Sequence, residues 1–322
     1  MKRLPLRFML VVPFVIIVCT AVVLTGALSF KSGRQAVSEV ASQLRSEIEL
    51  RVSEDLIRFF TIPYKVNQLN QDAVSQGFLN VDFLSTWEDY LFHQAQIFES
   101  INNIAIGNEL GEYIGIDTRD SGQVVIQKCD ASTGFSLISY DLGASKTPAI
   151  IGQTKGIYDP RIRPWYRSSV VLRKPRWSKV YKHFVDPTLQ IALSLPLISD
   201  SGTLQGVATA AVRLSKIDKF LRKIKVGKTG ITYIFDSTGF LIASSASDPT
   251  FIMSSVGKAQ RIHVSDSNIP LIRNSFQCLT DQAAEWQDIT NSQSLNCENN
   301  GERLFIQLSP FRDSFGLDWR IV

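Results

Sequence analysis

The chain has 322 residues, 44% of them hydrophobic and 20% charged, with a formal net charge of +4. This composition excludes a disordered or low-complexity polypeptide, and so mild a basic excess argues against a nucleic-acid binder. The length allows about two domains, each large enough for a core of its own.

The N-terminus reads first. "MKRLPLR" supplies Lys2, Arg3 and Arg7, and the run from Phe8 to Phe30 carries no charge. Such a run can cross a bilayer, which needs about 20 apolar residues. A cleavable signal peptide has a shorter apolar core and a small-x-small cleavage site. "TGALSF" matches that site poorly, so an uncleaved signal-anchor over residues 1–30 is expected. The basic residues before the span would keep the N-terminus cytoplasmic. Everything after about residue 30 would then lie in the periplasm or outside the cell.

After the span, Val37, Val40, Leu44, Ile48, Val52, Leu56 and Phe59 recur at three- or four-residue spacing, predicting a long helix that Pro63 ends or kinks. A second helical stretch is expected from about Val81 to Ser100. Either stripe could face a sheet, and the first could instead pair with a twin in a homodimer. The spacing allows both.

Past residue 100 the pattern changes to short apolar strands and turns: "NNIAIG", "GEYIGID" and "GQVVIQ", then a loop-rich stretch, then "RWSKVYKHF", "LQIALSLPLIS" and "TLQGVATAAVRL". "SKIDKFLRKIK" is amphipathic, with Ile217, Phe220, Leu221 and Ile224 on one face. The strand–turn–strand pattern then restarts at "GITYIFDSTGFLIASS" and closes at "LFIQLSPFRDSFGLDWRIV". This suggests two α/β modules in tandem, hinged at Ser215–Lys225. Strands that return by hairpins predict mostly antiparallel sheets, an α+β class.

Several chemistries fail on their residues. "GKT" at Gly227–Thr229 lacks the upstream glycine of a phosphate loop, because Arg222 stands there. "DTRDSG" has Arg119 where a calcium loop needs a carboxylate. His93, His183 and His263 share no metal motif, and no nucleophile has an evident base. Neither an enzyme nor a cofactor is therefore expected in this segment. Cys278 and Cys297 are candidates for a disulfide that would leave Cys129 odd, and spacing does not decide it.

The densest segment is "YDPRIRPWYRSSV", residues 158–170. From Lys155 to Lys182 there are nine Lys or Arg and one acid, Asp159, which favours an anionic ligand. Arg163 stands just before a short helix opened by Pro164, where backbone N–H groups already favour an anion. A guanidinium matches a carboxylate with two parallel hydrogen bonds. Tyr158, Trp165 and Tyr166 would add donors and wall off water. Equally, Arg161 and Arg163 could make structural salt bridges, with Trp165 in the core.

The span, the long helix, the tandem modules and "YDPRIRPWY" with its downstream Trp and Tyr resemble the double Cache (dCache) extracytoplasmic sensor domains of bacterial transmembrane receptors. "LQGVATAAVRLSKIDKFL" resembles the strand and linking helix that close the first module of that family. The resemblance implies PAS-like modules, with residues 31–100 helical, a membrane-distal ligand module at 101–214 and a membrane-proximal module at 215–322. It implies ligand-binding roles for Tyr158, Arg163, Trp165 and Tyr181, beside the neighbouring Tyr166. The acid that pairs with the ammonium in the amino-acid-binding group falls on Ala211. The anion half of that pocket is kept and the cation half lost, unless Asp186 reaches in from a nearby loop. A carboxylate-bearing metabolite without an amine is therefore the expected ligand. The last strand resembles one that leads into a second span, and a kinase, cyclase or chemoreceptor output is expected beyond it. A membrane-tethered solute-binding protein without output is the alternative, and an extracytoplasmic hydrolase a weaker one.

Overall fold

The computed structural model describes residues 6–141, 149–224, 226, 227, 229–254, 259–282, 286–299 and 302–322. Lys2, Arg3, Lys225 and Lys228, which enter the sequence expectations, lie outside that set. The chain divides into two compact units, Met1–Arg51 and Val52–Val322.

In the first unit the described residues form one continuous helix, the start of α1 (Leu6–Ser75). Its apolar residues from Val11 to Val37 lie exposed. Among the described residues this is the one helix long and apolar enough to cross a membrane. Val37, Val40 and Leu44 of the expected stripe are also exposed.

The second unit opens on the rest of α1. The helix runs through Pro63 rather than ending there. A proline removes one backbone donor, while Val52, Leu56, Phe59, Phe60 and Val66 are all buried here, and that burial outweighs the missing bond. The next helical stretch is shorter than the spacing suggests: a 3₁₀ turn at Leu84–Trp87 leads into α2 (Glu88–Ile97). Asn80 holds the chain in a turn before it, accepting from the Asp82 N–H through its side chain and from Trp87 Nε1 through its carbonyl.

The first sheet contains β1 (Asn103–Asn108), β2 (Tyr113–Thr118), β3 (Val124–Cys129), β4 (Ser136–Asp141), β5 (Ala149–Ile157), β6 (Arg176–Trp177), β7 (Tyr181–Lys182), β8 (Leu189–Ile198) and β9 (Leu204–Arg213). Its order is β5-β4-β3-β2-β1-β9-β8-β6, with β7 also on β8, and every pairing is antiparallel. β4 and β5 occupy the stretch expected to be loop-rich. β5 is an edge strand with most side chains exposed, so no burial alternation marks it in the sequence.

The register sorts the faces of this sheet. Ile104, Ile106, Ile114, Ile116 and Ile126 share one face, on which Lys128 pairs with Glu88 of α2. The opposite face is floored by small residues, Ala105, Gly107, Gly115, Ala192 and Ala211. There α3 (Pro164–Val170) lies down. A Cβ on Gly107 would come within 2.9 Å of the Trp165 ring and 3.0 Å of Pro160. On Gly115 it would meet the Tyr113 hydroxyl at 2.5 Å. Glycine at both positions is what lets large aromatic rings rest on the strands.

Helix α4 (Leu214–Lys223) follows β9 without a break. The second sheet comprises β10 (Tyr233–Asp236), β11 (Leu241–Ser244), β14 (Gln293–Asn299), β15 (Glu302–Arg312) and β16 (Asp318–Ile321), in the order β11-β10-β16-β15-β14. Between β11 and β14 stand the small ribbon β12 (Phe251–Met253) with β13 (Ala259–Arg261) and helix α5 (Pro270–Gln282). Cys278 and Cys297 form a disulfide. The sheets meet at an aromatic junction. Phe60 packs edge-on against Trp177 at 5.6 Å and Trp319 at 5.2 Å. Trp177 Nε1 donates to Asp313 Oδ2 at 2.6 Å, and its backbone N–H donates to the Phe315 carbonyl at 3.0 Å.

Candidate functional site

The two arginines of residues 158–170 have separate tasks. Asp159 caps the turn Pro160–Ile162 by accepting from the Arg161 N–H at 2.9 Å. The Arg161 side chain returns to both oxygens of Asp159 and donates to the Glu109 carbonyl at 2.9 Å. Arg161 is thus a clamp onto the β1–β2 turn. The Tyr166 hydroxyl donates to Glu109 Oε1 at the same turn, so Tyr166 holds α3 in place, and it is not among the residues lining the cavity described next.

Arg163 is different. It stands before Pro164 in extended backbone, and its guanidinium makes no hydrogen bond or ion pair with any described residue. It lies over the Phe184 ring at 4.8 Å and near the Tyr158 ring at 5.9 Å. Because α3 has only seven residues, the guanidinium and not the helix end supplies the positive charge.

Arg163, Tyr158, Trp165 and Tyr181 line one cavity on the small-residue face of the first sheet, with about 320 Å³ of empty space, open mouth included. Tyr158 and Trp165 are buried, and Tyr158 and Tyr113 meet edge to face at 5.2 Å. Burial pushes the Tyr158 phenol up to about 12 and raises Tyr113 and Tyr181 as well, so all three are neutral donors at physiological pH.

The rest of the wall was not singled out from sequence. Asn103 on β1, Gln127 on β3 and Gln190 on β8 each put a buried amide into the lining, and His183 and Phe184 close it from the β7–β8 connection. The signal for the amides is faint: each shares a face with the alanines and glycines, a relation that only strand register reveals. His183 Nδ1 accepts from the Asp186 N–H at 3.0 Å. Burial, helped by the Arg213 guanidinium, pushes the imidazole down to about 4. The ring is therefore neutral at physiological pH, with its proton on Nε2.

The nearby carboxylates are already engaged. Arg213 Nη2 donates to Asp117 at 2.8 and 3.1 Å and to Asp186 at 2.8 Å. Asp117 is fully buried, and burial pushes it up to about 6 against the pull of Arg213. Asp186 also lies 3.9 Å from Arg119 and is outside the cavity lining. Ala211 sits buried between Asn103 and Ala192. Among the described residues, the lining therefore contains one charged side chain, Arg163, and no carboxylate.

Comparison with known proteins places this fold. No protein-family model matches the chain. The ligand-binding domain of the Campylobacter jejuni chemoreceptor Tlp3, in complex with 4-methylisoleucine, superposes with a TM-score of 0.53 at 12% identity, over 87% of this chain and 89% of that one. The same domain in complex with L-valine gives 0.51 at 12% identity, over 88% and 93%. The fold is that of a chemoreceptor ligand-binding domain, the double Cache sensor fold. In sequence, the methyl-accepting chemotaxis protein McpC of Bacillus subtilis (strain 168) is 31% identical over 87 residues, 27% of this chain. The matched part spans 13% of the length of McpC.

Proposed function

We propose that this chain is the extracytoplasmic sensing region of a membrane receptor, anchored by the N-terminal part of α1, and that Arg163 holds a small carboxylate-bearing metabolite in the cavity of the first sheet. The observation that carries this reading is an unpaired guanidinium, stacked on aromatic rings, in a cavity wall without an acid. Arg163 is half-buried in the cavity wall, and a carboxylate ligand supplies its missing partner with two aligned hydrogen bonds. The chemoreceptor fold supports the sensory role. In this reading residues 101–214 form the ligand module and residues 215–322 the membrane-proximal one. Binding shifts the population of two packings, passed on through β9 and α4.

Calorimetric titration of the detergent-solubilised chain with short carboxylates tests it. Arg163→Ala is expected to weaken any carboxylate that binds by at least about tenfold, and Arg163→Lys to rescue little, because an ammonium lacks the planar fork. A carboxylate bound equally well by Arg163→Ala overturns the assignment.

The exposed stripe Val37, Val40 and Leu44 supports a homodimer through α1 in the same reading. Sedimentation in detergent is expected to give a dimer that Val40→Asp dissociates. A monomer throughout a hundredfold concentration range removes that part of the proposal.

A further inference from the structure

The three buried amides of the cavity share an arrangement. Gln190, 4% exposed, donates through Nε2 to the Tyr181 hydroxyl at 2.8 Å, and its Oε1 has no partner. Asn103 donates through Nδ2 to the Tyr113 hydroxyl at 3.3 Å and to the Ile116 carbonyl at 3.4 Å. Gln127 donates through Nε2 to Ser139 Oγ at 3.4 Å. In each, the NH₂ end is committed to the protein, and no described residue donates to the carbonyl end. A buried acceptor left unmade is expensive, and Gln190 Oε1 is the most enclosed of the three. The lining thus combines one cation, neutral hydroxyl and imidazole groups, and three amides whose carbonyl ends no described residue bonds.

We infer that Gln190 sets the specificity of this site, and that the ligand is a short hydroxy-carboxylate whose neutral hydroxyl donates to the Gln190 carbonyl while its carboxylate meets Arg163. The inference rests on the anion reading above and goes beyond it in naming the second group. An α-amino acid offers donors too, but its ammonium would enter a wall with a positive charge and no negative one. Asp117 and Asp186 are held by Arg213. A hydroxyl needs no counter-charge. A simple alkanoate would leave Gln190 Oε1 unpaired, and a site built to bond a hydroxyl rejects the analogue that lacks one strongly.

The test is calorimetric titration of the full chain in detergent with three matched sets: glycolate, glycine and acetate; L-lactate, L-alanine and propionate; L-2-hydroxyisovalerate, L-valine and isovalerate. In at least one set the hydroxy acid is expected to bind at least tenfold tighter than both its partners. Gln190→Leu is expected to erase the advantage of the hydroxy acid over the alkanoate. Gln190→Glu, which preserves shape and adds a negative charge, is expected to invert the preference toward the amino acid. The second variant keeps the test open if the first fails to fold. Hydroxy acid and alkanoate binding equally, both weakened by Arg163→Ala, would overturn this inference and leave the anion reading standing. Amino acids binding tightest to the unmodified chain would also overturn it. Arg163-independent binding of every acid, or no binding at all, would remove both.

Discussion

Arg213→Met is expected to destabilise the second unit by about 3–5 kcal/mol, the usual consequence of removing one partner of a buried ion pair. Asp117 has no exposed surface, and Arg213 is nearly as enclosed. Without the guanidinium, the Asp117 carboxylate would remain among apolar strands with its charge unmatched, and the bonds to Asp186 and the Thr118 carbonyl would go too. The deficit should depend on pH with a definite sign. Asp117 already stands above its unfolded value, at about 6 against 3.8, and losing Arg213 moves it further up. A carboxyl raised in the fold binds a proton that the unfolded chain does not, so acid stabilises the variant. The loss should be largest in alkali and shrink as the pH falls to about 6, the folded value of the parent's Asp117, below which the carboxyl is protonated in both proteins. Urea unfolding followed by circular dichroism at pH 5 and pH 8 measures it. Arg213→Met combined with Asp117→Leu should recover most of the loss, since an apolar pair of similar volume often replaces a buried ion pair without penalty. A single-variant deficit below about 1 kcal/mol, or one that grows in acid, would show that the pair is not enclosed as described.

Trp177→Ala is the second large effect, expected at about 3–5 kcal/mol for truncating a buried tryptophan. Its ring lies against Phe60 of α1, and its indole and backbone N–H groups both bond to the β15–β16 connection. Trp177→Phe separates the contributions. It keeps an aromatic ring and loses the bond to Asp313, for which about 1.5–3 kcal/mol is expected. Tyr181 of the cavity stands four residues further along the same segment. A ligand that displaced Tyr181 would therefore pull on a segment whose other end is bonded to the second sheet. Trp177→Phe should leave carboxylate affinity within about threefold, because Trp177 is not among the residues lining the cavity. Differential scanning calorimetry of the three proteins reads the stabilities without relying on tryptophan emission. A Trp177→Ala variant as stable as the parent would mean that the junction is loosely packed.

The parts of this architecture that were legible in the sequence are those with strong local pattern. The uncharged run Phe8–Phe30, the alternations of β1 to β3, the paired strands β8 and β9 and the amphipathic α4 all declare themselves through spacing. So does Pro164 at the head of α3. β5 was missed because an edge strand buries too little to leave an alternation behind. Pro63 does not end the helix, because one lost hydrogen bond is a local signal and the packing of Leu56, Phe59, Phe60 and Val66 is not. The candidate site divides in the same way. Arg163 and its aromatic neighbours lie close together in sequence, so their chemistry could be read from one segment. Asn103, Gln127 and Gln190 come from three strands far apart in the chain, and each taken alone resembles an ordinary outward-facing polar residue. Only the register that aligns Asn103 with Ala211, and Ala211 with Ala192, shows the amides on the enclosed face.

The covalent tie between Cys278 and Cys297 spans 19 residues and joins α5 to β14. By the chain-entropy account, a loop of that size contributes about 3 kcal/mol. Such cross-links persist in oxidising compartments and are kept open by thiol reductants in the cytosol. The first sheet has no comparable brace, since its Cys129 is buried and unpaired. Protein matured in a reducing milieu would thus have a first sheet of ordinary strength and a second one lacking a stitch, so the redox history of a preparation becomes a variable of the second sheet alone.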